Sequence, residues 1–441
     1  MNKIATFVFV CRLAQAARMS AVWVCVSSAL CAFGAERGYA APAQGFEAEV
    51  AANPANCVGI FRRYEFGAVV DTPPPAGYVP FYISHYGRHG CRYLTKESQF
   101  AALDSMEKAS GADALTEKGL ELLKCLRRIK AVHSGMMGSL SARGADEHRR
   151  ISRRMHDRFP QVFSAKGAVQ CQSSTYPRCL TSMANFACEL KGLEPQLEMS
   201  FATGDWYMPV ILNRVKGKEF DANGSEAAER RLLESVFDPG PMLARLFRDA
   251  SSASSFMEDP CAFYQSLFFM IAVCSTLDAE LEGLEIYDKF TVGELCALSR
   301  AMNGRWFFRM GNATEIGSAN MVRADKLAKD IASRAEGAMG GNGVVADLRF
   351  GHDAGLWPLA GYLGLEGVGD SVPFSKVCDH DVLWRCMTMA ANIQFAFYRN
   401  DVGDVLVKVL FNERETAIRG LEPVAGPYYR WPDLKALLTR R

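Results

Sequence analysis

Residues 84–94 read S-H-Y-G-R-H-G-C-R-Y-L, and place His89 between Arg88 and Arg92 in a chain with only seven histidines. A neutral imidazole offers a nucleophilic lone pair. Two guanidiniums beside it offer forked donors that match the oxygens of a phosphoryl group. A phosphate monoester is a dianion that repels nucleophiles, so a nucleophile needs that charge absorbed first. Here arginines would do what magnesium does in other phosphoryl-transfer sites. Gly90, without a side chain, is expected to let the backbone approach the phosphoryl group closely. An R-H-G-x-R string arises by chance roughly 0.003 times in a chain of this composition and length, so the pattern is specific for its size. The alternative is a solvated cluster of basic residues.

Two other turns supply groups that complete such a site. Arg178, in S-S-T-Y-P-R-C-L-T-S-M, would add a third guanidinium. His352 and Asp353, in G-H-D-A-G, would add another phosphate ligand and an acid for the leaving oxygen. A carboxyl beside bound phosphate feels like-charge repulsion, which raises its pKa and favours the protonated acid. Taken singly, a histidine before a helix-capping aspartate is an ordinary core feature, and a lone arginine is ordinarily solvated. Their place at the ends of strands gives them weight.

The elements that must position these residues are legible as period and punctuation. D-T-P-P-P-A-G-Y-V-P (71–80) reads as a rigid loop, and Phe81, Tyr82 and Ile83 as a strand ending at the His89 cluster. From Leu115 to Phe159 the pattern is helical, with Leu120, Leu123, Cys125 and Ile129 on one face, followed by a very basic helix from about 140. Ala168, Val169 and Cys171 suggest a second strand before Arg178; Val344, Val345, Leu348 and Phe350 suggest a third before His352. Residues 200–336 carry helical signals and few strand signals, including a capping box at Thr291 and Glu294. A-M-G-G-N-G ends the last of these helices near Gly340. I-Q-F-A-F-Y and D-V-L-V-K-V-L-F flank R-N-D-V-G as a hairpin. Three strands thus deliver polar residues to turns before helices, where open α/β sheets form their sites.

The whole chain has 441 residues, 49% hydrophobic and 22% charged, with a net charge of +1. That balance excludes a polybasic nucleic-acid binder and makes any anion recognition local. Residues 1–40 combine Lys3, Arg12 and Arg18 with an apolar run from Ala21 to Phe33 and small residues after it. They read as a secretory signal peptide, so the expected location is secreted or periplasmic with no stable membrane insertion. Eleven of the fourteen cysteines lie beyond that segment, an odd number, and spacing alone leaves their pairing open. No CxxC pair or Cys/His cluster stands at zinc spacing, so no metal and no cofactor are expected. Cys57 and Arg63 have the Cys-x5-Arg spacing of cysteine phosphatases, but Val58, Ile60 and Phe61 make a poor phosphate cradle, and the match is rejected. Oligomeric state is not legible.

R-H-G-C-R (88–92), G-H-D (351–353) and S-S-T-Y-P-R-C-L-T-S (173–182) together resemble the histidine acid phosphatases, most of all bacterial multiple inositol polyphosphate phosphatases and phytases. Further similarity lies in R-G-A-D-E-H-R-R-I-S-R-R-M, V-L-F-N-E-R and Y-Y-R-W-P-D-L, so the resemblance spans roughly residues 55–440. It implies a three-layer α/β core with a central, mostly parallel sheet, built from 41–199 and 337–441, and an inserted helical cap over 200–336. It also implies that His89 becomes a phosphohistidine, that Arg88, Arg92, Arg178 and His352 hold the phosphoryl group, and that Asp353 donates the proton. The expected substrate is a small phosphate ester, an inositol polyphosphate such as phytate. Substrate contacts are expected from Tyr93, Lys96, Arg214, Lys216 and Lys218. Inositol polyphosphate phosphatases of this type usually carry H-A-E where this chain has H-D-A, which leaves the subfamily open. The alternatives are a broad acid phosphatase acting on sugar phosphates or nucleotides, a phosphomutase, and a non-catalytic phosphate-binding protein on the same fold.

Overall fold

The computed structural model describes residues 45–164, 166–212, 225–316, 319–379 and 386–441. The expected signal segment and three of the expected substrate contacts, Arg214, Lys216 and Lys218, lie outside them. Eight strands form one sheet: β1 (Val79–Arg88), β2 (Ala168–Ser173), β3 (Glu198–Thr203), β4 (Val344–Gly351), β5 (Asn392–Arg399), β6 (Val405–Phe411), β7 (Arg414–Glu415) and β8 (Tyr428–Arg430). Their order is β3-β2-β4-β1-β5-β6-β7, with β8 also on β6. Strands β3, β2, β4 and β1 run parallel, and the sheet turns antiparallel from β5 onward. The expected 81–83 strand is longer at both ends, and reaches Arg88 itself.

The principal helices are α1 (Glu117–Val132), α2 (Ala142–Arg158), α3 (Pro177–Leu193), α4 (Pro260–Val273), α5 (Val292–Met310), α6 (Asp325–Met339) and α7 (Asp353–Leu363). In α1 the buried stripe is Leu122, Leu123, Leu126 and Ile129, with Leu120 exposed, because the core face follows the i, i+4, i+7 positions from Leu122. Both hydrogen bonds of the Thr291–Glu294 capping box open α5, and Gly340 ends α6.

Alternation along β4 separates the two faces of the sheet. Ala346, Leu348 and Phe350 join Ile151, Met155, Phe186 and Leu190 of α2 and α3 in one apolar cluster. Asp347 and Arg349 face the other way into a buried ionic network: Arg349 Nε donates to Asp330 (2.8 Å), Arg334 to Asp347 (2.8 Å) and Tyr82 Oη to Asp347 (2.8 Å). Helix α6 covers that face, so the core has three layers. Among the described residues between β3 and β4 the regular elements are helices, and α4 is buried almost all round. Among the described residues no helix is long and apolar enough to cross a membrane, and ten cysteines are all free thiols.

Two histidines lie in the apolar layer, where Phe350 packs within 5.6 Å of each ring. Burial pushes His148 down to about 3. Burial, His148 and Arg349 push His85 down to about 3 as well. The unfolded chain takes these protons near pH 6.5, whereas the native state refuses them until about pH 3. Native stability is therefore lost as pH falls through that window, at about 1.4 kcal/mol per pH unit per histidine at the steepest. Urea denaturation at pH 7 and pH 4 should show His148→Leu losing less stability on acidification than the parent, by about 2 kcal/mol or more; equal losses would contradict this.

Candidate active site

Strands β2, β4 and β1 end side by side. The register pairs Arg88 with Gly351 and Ser173 with Phe350, so His89, His352 and Ser174 emerge together from one edge. The His89 amide donates to Gly351 O (3.0 Å) and the Ser174 amide to Phe350 O (3.1 Å). His352 directly follows β4, the middle of the three, and its ring centroid is 5.5 Å from that of His89.

His89 is buried, with Nδ1 2.9 Å from Gly90 O. A carbonyl can only accept, so Nδ1 carries the proton and Nε2 the lone pair. Burial holds the imidazole well below its ordinary pKa, and Arg178, Arg88, Arg92 and His352 depress it further. The shift favours the neutral ring at acidic pH.

Arg88 is fully buried. Its Nη1 donates to Ile60 O (2.7 Å), Met387 O (2.9 Å) and Thr388 O (3.1 Å), and its Nη2 lies 2.9 Å from Asp353 Oδ2. Arg92 donates to Tyr93 O (2.9 Å) and lies over the Phe61 ring (5.1 Å). Arg178, on the first turn of α3, lies over Tyr176 (4.7 Å) and places Nη2 3.4 Å from His352 Nδ1. Among the described residues, the buried Nε of all three arginines has no acceptor. An orphaned buried donor costs about 1–3 kcal/mol. Three such donors around one neutral imidazole suit an anion. Burial, then repulsion from Arg178 and Arg88, pulls Arg92 down to about 9, so it stays charged at neutral and acidic pH.

Asp353 faces Arg88. Burial pushes its carboxyl up, but Arg88, His352, Arg92 and the Ala354 N–H outweigh that, and the net direction is down. In the free site it is an ionised partner of Arg88. On the far side of His352, Ser174 Oγ is 2.9 Å from Nε2 and Cys179 Sγ is 3.5 Å from it.

Gly90 corrects an expectation. A Cβ there would lie 2.5 Å from Gly144 O and 2.7 Å from Gly144 Cα. The absent side chain serves the packing of the loop on α2, where backbone meets backbone. Tyr93 is buried, with its hydroxyl donating to Glu280 (3.2 Å) and its ring edge-on to His133. That places it in the packing under the loop and not at an open surface. Lys96 is exposed. The Cys57 thiol is buried, which pushes its pKa up, as expected of a packing residue.

Several groups at the site left no mark in the sequence. The Met387 and Thr388 carbonyls come from an apolar loop whose contribution is backbone alone. Glu147 is hidden in the polar run D-E-H-R-R. It is 2% exposed and accepts from Cys91 N–H (2.8 Å) and Tyr64 N–H (3.0 Å).

No protein-family model and no curated protein matches this chain. Solved structures do. The multiple inositol polyphosphate phosphatase of Bifidobacterium longum, in complex with inositol hexasulfate, aligns with a TM-score of 0.72 at 20% identity, over 87% of this chain and 97% of that one. The phytase of D. castellii aligns with a TM-score of 0.62 at 15% identity, over 92% and 89%. The apo phytase of Hafnia alvei aligns with a TM-score of 0.50 at 14% identity, over 83% and 98%. At these identities the likeness is one of fold, and it is the fold that the motif resemblance implies.

Gly90→Ala should destabilise the protein by about 1–3 kcal/mol, because the atoms it meets are backbone and cannot swing away. A thermal melt beside an activity assay checks this; an unshifted melting temperature would contradict it.

Proposed function

We propose that this protein is a phosphomonoesterase that works through a phosphohistidine on His89. The carrying observation is an imidazole fixed through Nδ1, whose neutral form burial favours, among three arginines whose buried Nε groups have no acceptor among the described residues. Arg88, Arg92 and Arg178 take up the phosphoryl oxygens, with His352 as the fourth ligand. The His89 Nε2 lone pair forms the N–P bond as the bond to the leaving alcohol breaks. Asp353 gives that oxygen its proton. Water then attacks phosphorus, the N–P bond breaks, and Asp353 accepts the proton.

For Asp353 to begin as an acid, phosphate must reverse its state in the free site. A bound dianion takes up Arg88 and sets negative charge beside the carboxyl, which raises its pKa. Turnover is therefore lost as pH rises through that raised pKa, giving an acidic optimum. No step in this scheme requires a metal, and saturating EDTA should leave turnover unchanged.

Among substrates we favour inositol polyphosphates, with support from fold relatives that are described as inositol polyphosphate phosphatases and phytases. One observation favours a second reading, a broad acid phosphatase. Residues 225–339 hold seventeen Asp and Glu against twelve Lys and Arg, an unfavourable balance for a highly charged anion. We take the mainly helical segment 200–336 to be a cap that contributes to this choice, and the N-terminal segment to direct export.

A phosphate-release panel over phytate, glucose phosphate and nucleotides, with EDTA present and pH varied, separates these readings. His89→Ala should abolish turnover. Asp353→Asn should slow alkyl phosphates by about 10²- to 10⁴-fold and aryl phosphates with good leaving groups far less. Equal loss for both classes would remove Asp353 from the acid role.

A further inference from the structure

The peptide group between Gly90 and Cys91 has both ends engaged. Its carbonyl accepts from His89 Nδ1 at 2.9 Å, and its amide N–H donates to Glu147 Oε2 at 2.8 Å. The peptide bond is planar and conjugated, so its two ends are one electronic unit. An N–H held by a carboxylate pushes electron density toward the carbonyl oxygen, and hydrogen bonds in a chain strengthen one another.

We propose that Glu147 is a positioning residue that orients and activates His89 through the Gly90–Cys91 peptide. This rests on the phosphohistidine reading and deepens it. The logic is that of a carboxylate which holds a catalytic imidazole by its Nδ1–H, with one peptide group interposed. The interposition has a physical reason. A carboxylate in direct contact with His89 would sit inside the arginine cluster and repel an incoming dianion. Behind the loop, the charge acts on the imidazole through bonds while the phosphate side keeps its positive field.

The placement of Glu147 fits this role. Its Oε1 accepts from Tyr64 N–H (3.0 Å) and faces Cys91 Sγ–H (3.1 Å), so both oxygens meet donors. Helix α2, which carries it, is anchored beside the loop by contact between Gly144 and the Gly90–Cys91 backbone. Its titratable and charged neighbours are Cys91, Arg143 and Arg88; burial raises its pKa, and the Tyr64 and Cys91 N–H groups, the Cys91 thiol and Arg143 act in the opposite sense. The groups facing His89 are Arg178, Arg88, Arg92 and His352. Cys91 N–H and Tyr64 N–H together also tie the nucleophile loop to the 60–64 segment, whose Ile60 carbonyl holds Arg88.

The test is Glu147→Gln, which keeps shape and removes the charge. With selective ¹⁵N-histidine labelling, the His89 Nδ1–H resonance should move upfield, while that of His133, bonded to the remote Ile129 carbonyl, stays put. The rate of phosphoenzyme formation should fall about 10- to 100-fold, as for other groups that orient an active-site ligand, with KM little changed. Glu147→Asp should recover part of both effects, and it carries the same two readings if the glutamine variant does not fold. A role confined to stability would lower the melting temperature and leave the imidazole proton and the rate per folded molecule unchanged; that result overturns the proposal. If the parent releases no phosphate from any ester, the functional reading fails. The resonance shift still decides whether Glu147 acts on His89.

Discussion

A fully buried guanidinium is the constraint on which this structure depends. Arg88 has no exposed surface, and taking such a cation out of water costs several kcal/mol unless its donors are met. Three carbonyls meet one end, from Ile60, Met387 and Thr388, and Asp353 faces the other. Those carbonyls belong to two segments far apart in sequence. Holding them in place fixes the end of β1, and with it the direction in which His89 leaves the sheet. The Arg88 amide, bonded to Ala391 O at 2.8 Å, and the Ala390 amide, bonded to His89 O at 3.0 Å, extend the same clamp.

Once that cation and its two companions are in place, protonation states follow. Burial and these cations both disfavour a proton on the imidazole, which helps it keep its lone pair. Asp353 cannot keep its proton while Arg88 is its partner, so it waits as a carboxylate. On the proposed reading a phosphoryl group converts the second state and spares the first. The substrate then sets the charge of its own acid, and the site needs no metal to balance the dianion.

The sequence carried the side chains of the site and little of what holds them. R-H-G-C-R was legible because its chemistry is local: two guanidiniums and an imidazole within five residues. G-H-D and Arg178 gained meaning only from the strands before them, and the parallel register of β2, β4 and β1 is what brings them to one edge. The clamp on Arg88 was invisible, because backbone carbonyls in C-M-T-M-A-A have no signature in residue type. Glu147 looked like one more polar residue on a basic helix until burial singled it out. Gly90 was read as room for a ligand, whereas the Gly144 backbone takes that room. The exposed edge strand β3 was missed in E-M-S-F-A-T: Gly192 and Pro195 mark the end of α3, but the six residues that follow are mostly exposed and form no apolar face. Burial of Tyr93 was likewise beyond a reading of residue types.

The central claim is that one imidazole nitrogen forms a covalent bond to phosphorus. It is tested most directly by mixing the protein with a ³²P-labelled phosphate ester, quenching in alkali, where N-phosphohistidine survives, and mapping the label. The account predicts a rapid burst approaching one phosphoryl group per chain, on His89 Nε2 and absent from His89→Ala. Turnover without any protein-bound label, or label that persists in His89→Ala, would contradict it.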